Sequence, residues 1–258
     1  MFRFDGSVGS SNALALSTRK RADLLLLERG LFESRNQAQA AIAAGLVTAN
    51  GEPVRKPSDA LAVDCELRAA PAHPWVSRGG LKLAAALDHF GFAVEGRRGL
   101  DLGASTGGFT EVLLARGAQR VYAVDVGHGQ LHARVAARPQ VVVLEHVDAR
   151  ALTPALIPEP LAFATIDVSF ISLKLVLPTA LALLRPPAWL VALIKPQFEA
   201  GRRHLKKGVV RDPQVHAAVC DDLAAFSAAQ GWRVAGVIPS PITGGDGNHE
   251  FLIGATFG

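Results

Sequence analysis

Gly99-Leu100-Asp101-Leu102-Gly103-Ala104-Ser105-Thr106-Gly107-Gly108-Phe109 (residues 99–109) is the stretch on which the fold turns. A short apolar run carrying one acid leads straight into glycines, and an apolar helical pattern follows from Gly107 to Arg116. This reads as a β-strand, a tight turn and the start of a helix. Glycine at the turn lets the backbone pass close to a ligand, and the helix N-terminus offers unpaired N–H groups. The spacing departs from the dinucleotide form G-x-G-x-x-G, so a pyrophosphate is not indicated. A bare strand–helix junction would look the same, and the turn alone leaves the ligand open.

Outward from the turn, helices and strands alternate. Gly80 to Phe90 reads as a helix ahead of it. After it come strands at Arg120 to Val126, Val141 to Glu145 and Phe163 to Val168, and a helix running through Leu184. A strand at Trp189 to Ile194, a helix at Pro213 to Gln230, and strands at Trp232 to Ile238 and Glu250 to Phe257 complete the series. Such alternation predicts the α/β class, with a mostly parallel sheet covered by helices on both faces. The last two strands have no helix between them, which predicts antiparallel pairing. Asp125 ends the second strand about 20 residues past the turn, where an acid can hold ribose hydroxyls. Asp148 follows the third strand at the same carboxyl edge, the edge at which open α/β sheets bind ligands. An acid here suits a cationic cofactor bearing a ribose.

The first part of the chain has a different texture. Residues 1–18 are rich in Gly and Ser and read as a flexible tail without a secretory signal. Residues 19–68 suggest two helices and a hairpin: a stripe of Leu24, Leu25, Leu27 and Leu31, then Ser34 as an N-cap ahead of Ala38, Ala41 and Ile42, closed by Gly45. Asn50-Gly51 between short extended runs predicts a hairpin turn, and Leu61, Val63 and Leu67 suggest a further strand. Residues 69–76 read as a linker, leaving 77–258 as the large domain. The formal charge of +4 is too mild to imply nucleic acid unless it is clustered. Cys65 and Cys220 stand alone with no metal-ligand spacing, which predicts neither disulfide nor metal site and fits a reducing cytoplasm. No apolar run has the length of a membrane span.

The glycine turn, Asp101 to Thr110, resembles motif I of the FtsJ-like RNA methyltransferases. Further strings resemble the TlyA branch of that family: Val76-Ser77-Arg78-Gly79-Gly80, Asp125-Val126-Gly127-His128-Gly129-Gln130-Leu131, Asp167-Val168-Ser169-Phe170-Ile171-Ser172-Leu173, Lys195-Pro196-Gln197-Phe198-Glu199 and Asp246-Gly247-Asn248-His249-Glu250. The likeness runs from Arg21 to Gly258. It implies a Rossmann-like class I methyltransferase with a seven-stranded sheet, preceded by a small α+β S4-like RNA-binding domain. It implies S-adenosylmethionine as cofactor and, as substrate, cytidine ribose 2′-hydroxyls of 16S or 23S rRNA, in free rRNA or ribosomal subunits. The cofactor would meet Asp101, Gly103, Ala104, Ser105, Thr106, Gly107, Gly108, Phe109, Asp125, Val126 and Asp148. The family's Lys-Asp-Lys-Glu set falls on Lys82, Asp167, Lys195 and Glu250.

The residues themselves support that placement. Asp167 and Lys195 close successive strands, Lys82 lies just upstream of the first, and Glu250 opens a strand running the other way, so all four reach one edge. A ribose hydroxyl must lose its proton as it attacks a methyl group. A lysine accepts that proton only when neutral, a balance set by burial, a second cation and nearby carboxylates. Lys195 is read as the base with Asp167 nearest to it, and Lys82 with Glu250 as holding the ribose. Singly, each has a plainer role open to it: a solvated lysine, a helix cap, an edge pair. Candidate phosphate contacts are Arg19, Lys20, Arg21, Arg35, Arg55 and Lys56 in the first domain, Arg78 beside Gly79, and Arg202, Arg203, Lys206 and Lys207 after Lys195. An RNA-base methyltransferase would call for an Asn/Asp-Pro-Pro-aromatic site, which Asp167-Val168-Ser169-Phe170 is not. A cytolysin would call for a secretion signal or inserting segment.

Overall fold

The computed structural model describes residues 18–245 and 247–258, so the expected tail at residues 1–17 lies outside the described residues. The described chain divides into two compact units between Pro74 and Trp75.

The first unit comprises β1 (Arg19–Arg21), α1 (Ala22–Glu28), α2 (Arg35–Ala43), β2 (Val47–Ala49), β3 (Glu52–Pro53), β4 (Ala60–Ala62) and β5 (Leu67–Ala69). The backbone N–H of Gln37 donates to Ser34 Oγ at 3.3 Å, so Ser34 caps α2 as expected, and Gly45 leaves the helix at φ 72°. Asn50 and Gly51 both have positive φ, 50° and 84°, which is what a two-residue hairpin between β2 and β3 needs. The leucine stripe is phased differently from the expectation. Leu24 and Leu31 are exposed, and Ala22, Leu26, Ala38, Ala41, Ile42 and Val47 form the core. The run from Leu61 to Leu67 is two strands, β4 pairing with β1 and β5 with β2. Ala69 pairs with Val47, and Ala70 N–H donates to Leu46 O at 3.1 Å. The stretch expected as linker therefore begins inside a strand. It also ends inside the second unit, because Trp75 and buried Val76 pack there.

The second unit comprises α3 (Gly79–Phe90), β6 (Arg98–Leu102), α4 (Gly108–Ala115), β7 (Arg120–Val124), α5 (Ala133–Ala136), β8 (Val141–Leu144), β9 (Leu161–Ile166), α6 (Leu173–Ala182), β10 (Leu184–Ile194), α7 (Pro196–Glu199), α8 (Pro213–Ala229), β11 (Arg233–Pro239) and β12 (Phe251–Phe257). The seven strands lie in the order β11-β12-β10-β9-β6-β7-β8. β12 runs antiparallel to both its neighbours, and the pairs from β10 to β8 are parallel. Alternation along β10 sends Leu190, Ala192 and Ile194 to one face, with α6 and α8, and Val191 and Leu193 to the other, with α3 and α4. The helix expected to run through Leu184 stops at Ala182, and Leu184 already pairs with Leu161. The Arg185-Pro186-Pro187 step cannot continue a helix, and the register shifts before Trp189.

Candidate active site

Strand order locates the site. The chain steps from β6 out to β7 and β8, then returns to place β9 on the other side of β6. Loops leaving β6 and β9 thus part in opposite directions and open a crevice at the carboxyl edge. Gly103, with φ 78°, leaves β6 there, and a Cβ on it would run into the backbone carbonyl of Asp167, which leaves β9. Only glycine lets the two loops approach so closely.

A cavity of about 390 Å³ opens beside this contact, lined by Gly103, Ser105, Asp125, Val126, Asp148 and Asp167 among others. That is within the range of small-molecule sites. The Asp125 carboxylate is fixed by two backbone donors, Ser105 N–H to Oδ2 and Gly127 N–H to Oδ1, each at 2.8 Å. The loop beyond is clamped by Glu145, which accepts from Gly129 and Gln130 N–H at 2.7 and 3.0 Å and is held below the usual carboxylate range chiefly by the Gly129 bond. Asp148 is drawn down to about 2, first by its side-chain bond to Arg150.

Not every expected cofactor contact reaches this cavity. Asp101 is wholly buried; Thr110 and Thr165 hydroxyls donate to it at 2.6 and 3.0 Å, so it braces the turn from beneath. Burial pushes its carboxyl up to about 7. Phe109 lies in the core under α3 and α4. Gly107 turns toward Leu131 and Val135, and Gly108 sits against Ser77 and Gly80, where their missing side chains permit close packing. Ala104 is buried and Thr106 exposed, neither of them on the cavity wall. A buried acid in a strand and an aromatic after a glycine look alike in sequence whether they face ligand or core.

The four candidate catalytic residues form two ion pairs. Lys82 Nζ donates to Glu250 Oε2 at 2.6 Å, with both side chains nearly buried. Lys195 Nζ lies 2.6 Å from Asp167 Oδ1. The same amine donates a hydrogen bond to Ser169 Oγ at 2.8 Å. Ile194 pairs with Phe251, so Lys195 and Glu250 flank one rung of the sheet. Sequence reading missed Ser169 and Phe170 as site residues. Phe170 is 90% exposed at φ 64°, its ring 5.0 Å from that of Phe198. A bulky residue in the left-handed region with its ring in water is strained, a common mark of a functional turn.

Of the candidate phosphate contacts, Arg21 and Arg35 bond to Asp23, which has no exposed surface. Arg19 donates to Ala60 O, and Lys20 pairs with Glu28. Arg55 and Lys56 are exposed, and their side chains make no ion pair among the described residues. Arg78, Arg202, Arg203, Lys206 and Lys207 are exposed in the second unit. Among the described residues no group of His, Cys, Asp and Glu could hold a metal ion, and no helix is long and apolar enough to cross a membrane.

The chain is similar to known proteins over most of its length. The FtsJ-like methyltransferase family matches residues 75–257, and the S4 domain matches residues 20–64. YqxC of Bacillus subtilis is 49% identical over 92% of this chain and 85% of its own. The Mycobacterium tuberculosis 16S/23S rRNA (cytidine-2′-O)-methyltransferase TlyA is 45% identical over 92% of this chain and 90% of its own. A solved structure from Streptococcus thermophilus that carries a hemolysin name superposes with a TM-score of 0.74 at 43% identity, over 93% of this chain and 89% of that one. The chain belongs to the FtsJ-like methyltransferases, in the branch that includes TlyA, with an S4 domain ahead of the methyltransferase domain.

Proposed function

We propose that the chain methylates ribose 2′-hydroxyls of ribosomal RNA, at cytidines of 16S or 23S rRNA as the name of its TlyA relative states, with S-adenosylmethionine as donor. The observation that carries the reading is the pairing of Lys195 with Asp167 at the wall of the cavity that Gly103 and Asp125 shape. The cavity suits that cofactor: Asp125 is fixed to receive ribose hydroxyls, and Gly103 and Ser105 leave the backbone open beside it. Bound there, S-adenosylmethionine supplies a methyl group made electrophilic by its sulfonium.

The chain's own residues do the rest. Lys195 in its neutral form takes the proton from the 2′-hydroxyl as the oxygen attacks. Asp167 holds the amine at the cavity and stabilises the ammonium that forms. Lys82 and Glu250, already paired and nearly dry, present a fixed dipole beside the ribose without adding net charge. Phe170 offers a face on which the target base stacks, as single-stranded bases do on exposed aromatics. Alignment of the attacking oxygen with the methyl group supplies much of the rate. The S4 domain and the basic residues Arg78, Arg202, Arg203, Lys206 and Lys207 provide affinity through phosphates. This work belongs in the cytoplasm, where rRNA is.

The test is to incubate the full chain with methyl-labelled S-adenosylmethionine and unmodified ribosomal subunits or free rRNA, beside Lys195→Ala. Label on ribose with the wild type and none with the variant is expected. Label with both would move the base elsewhere. No label on any RNA, despite measured cofactor binding, would overturn the substrate.

A further inference from the structure

Among the described residues the Lys195 amine makes two polar contacts, an ion pair and a hydrogen bond. Asp167 Oδ1 is the ion-pair partner at 2.6 Å, and Ser169 Oγ accepts a hydrogen bond from Nζ at 2.8 Å. The distinction matters to a base. A neutral amine has two N–H groups and one lone pair, and rotation about Cε–Nζ is nearly free unless an acceptor holds one N–H. A carboxylate beside the amine attracts it from any rotation; a directional acceptor selects one.

The turn that carries Ser169 is built to hold that acceptor still. Its far end is tied to the segment that bears the lysine: Ser172 Oγ donates to Glu199 Oε2 at 2.6 Å, and Leu173 N–H to Glu199 Oε1 at 2.8 Å. Glu199 lies on α7, one helical turn after Lys195. Between the two ties sits Phe170 at φ 64°. Capping of α6 is done by Ser172, whose Oγ accepts from Lys174 N–H, so helix capping does not account for the Ser169 hydroxyl. Among the described residues, that hydroxyl bonds to Lys195.

We infer that Ser169 is a positioning residue for methyl transfer, fixing the rotation of the Lys195 amine so that its lone pair faces the 2′-hydroxyl. This rests on the reading of Lys195 as base. It makes the working group a Lys195–Asp167–Ser169 cluster, with charge supplied by the acid and direction by the hydroxyl. The other charged groups on neighbouring elements, Glu250 before β12, Lys82 on α3 and Glu199 on α7, bond to one another or to Ser172 and Leu173.

The test compares full-length Ser169→Ala, Ser169→Thr and Lys195→Ala, using single-turnover methylation of unmodified ribosomal RNA against pH, with cofactor affinity measured separately. Ser169→Ala is expected to lower the rate about 10-fold to 100-fold, with cofactor affinity unchanged. The hydroxyl accepts from the ammonium and favours it, so its loss moves the rising limb of the profile to lower pH. Ser169→Thr, which keeps the hydroxyl, restores rate and profile. The inference is overturned if Ser169→Ala keeps the wild-type rate and profile while Lys195→Ala is inactive. It is equally overturned if Ala and Thr variants are slowed alike with an unmoved profile, because Ser169 would then serve only the shape of the turn. An active Lys195→Ala would remove the base assignment itself.

Discussion

Asp101 shows how a single buried carboxyl couples the cofactor turn to pH. Its side-chain partners among the described residues are two threonine hydroxyls, and no cation among them offsets its burial. Burial pushes its pKa from 3.8 up to about 7, and nearby Asp167 pushes the same way. The folded state therefore holds this proton more tightly than the unfolded chain does. The stabilisation is fully present below the unfolded value and is lost as pH rises from about 4 through about 7. The loss is on the order of 4 kcal/mol. Asp101→Asn stays neutral throughout, and its amide can bond to both hydroxyls. Urea denaturation should therefore show the variant gaining on the wild type as pH rises from about 4 to about 7, with a level difference above that. A difference independent of pH would mean that Asp101 does not titrate in this range. At this scale the sequence was informative where a residue closes or opens a periodic segment, as Asp167, Lys195 and Glu250 do. Ser169, Thr110 and Thr165 were not legible, because a hydroxyl's role depends on a rotamer and a turn shape that leave no periodic trace.

Elements meet the site through a few tight contacts, and these set the next two expectations. Gly103 ends β6 with φ 78° against the Asp167 carbonyl, so Gly103→Ala combines a strained backbone with overpacking. The cost should be about 2–4 kcal/mol, with cofactor binding lost, measured by denaturation and calorimetry on one preparation. Cofactor binding at wild-type strength would show that the β6 and β9 loops can part without harm. Glu199→Ala frees the start of α6 by removing the acceptor for Ser172 and Leu173 N–H. About 1–2 kcal/mol of stability should go with it, while Glu199→Gln keeps most of it; equal losses would point to charge rather than capping. The long helices and core strands were legible because their apolar periods extend over many residues. β1 was not, and β4 and β5 were read as one strand: three-residue strands carry too little alternation to register, and tertiary pairing alone defines them. The stripe on α1 was misphased for a related reason, since seven residues hold four consecutive leucines and only packing shows which face is inward.

Across the whole molecule, a formal charge of +4 says little until structure sorts the basic residues into those bound within the fold and those facing water. The alternation of strands and helices predicted a parallel sheet, but the return of β9 beside β6, which opens the crevice, is a long-range choice that local pattern does not encode. Charge sorting in the S4 domain is equally non-local. Asp23 is fully buried, and its carboxyl is held well below the usual range first by its bond to Arg21, with Gln39 and Arg35 adding to the effect. Arg35→Ala should therefore destabilise that domain by about 1–3 kcal/mol, whatever it does to RNA. The exposed Arg55 and Lys56 side chains have no such partner among the described residues, so changing both to Ala should leave the melting temperature unchanged. If they meet phosphates, each releases counterions on binding. Plotting log K for rRNA against log salt should then give a slope smaller in magnitude by about 1–2 in the double variant. Affinity should fall most at low salt and nearly alike for different sequences, since phosphate contacts do not read bases. An unchanged slope with unchanged affinity would mean that this edge of the S4 domain faces away from RNA, and that binding rests on Arg19, Lys20 and the basic residues of the methyltransferase domain.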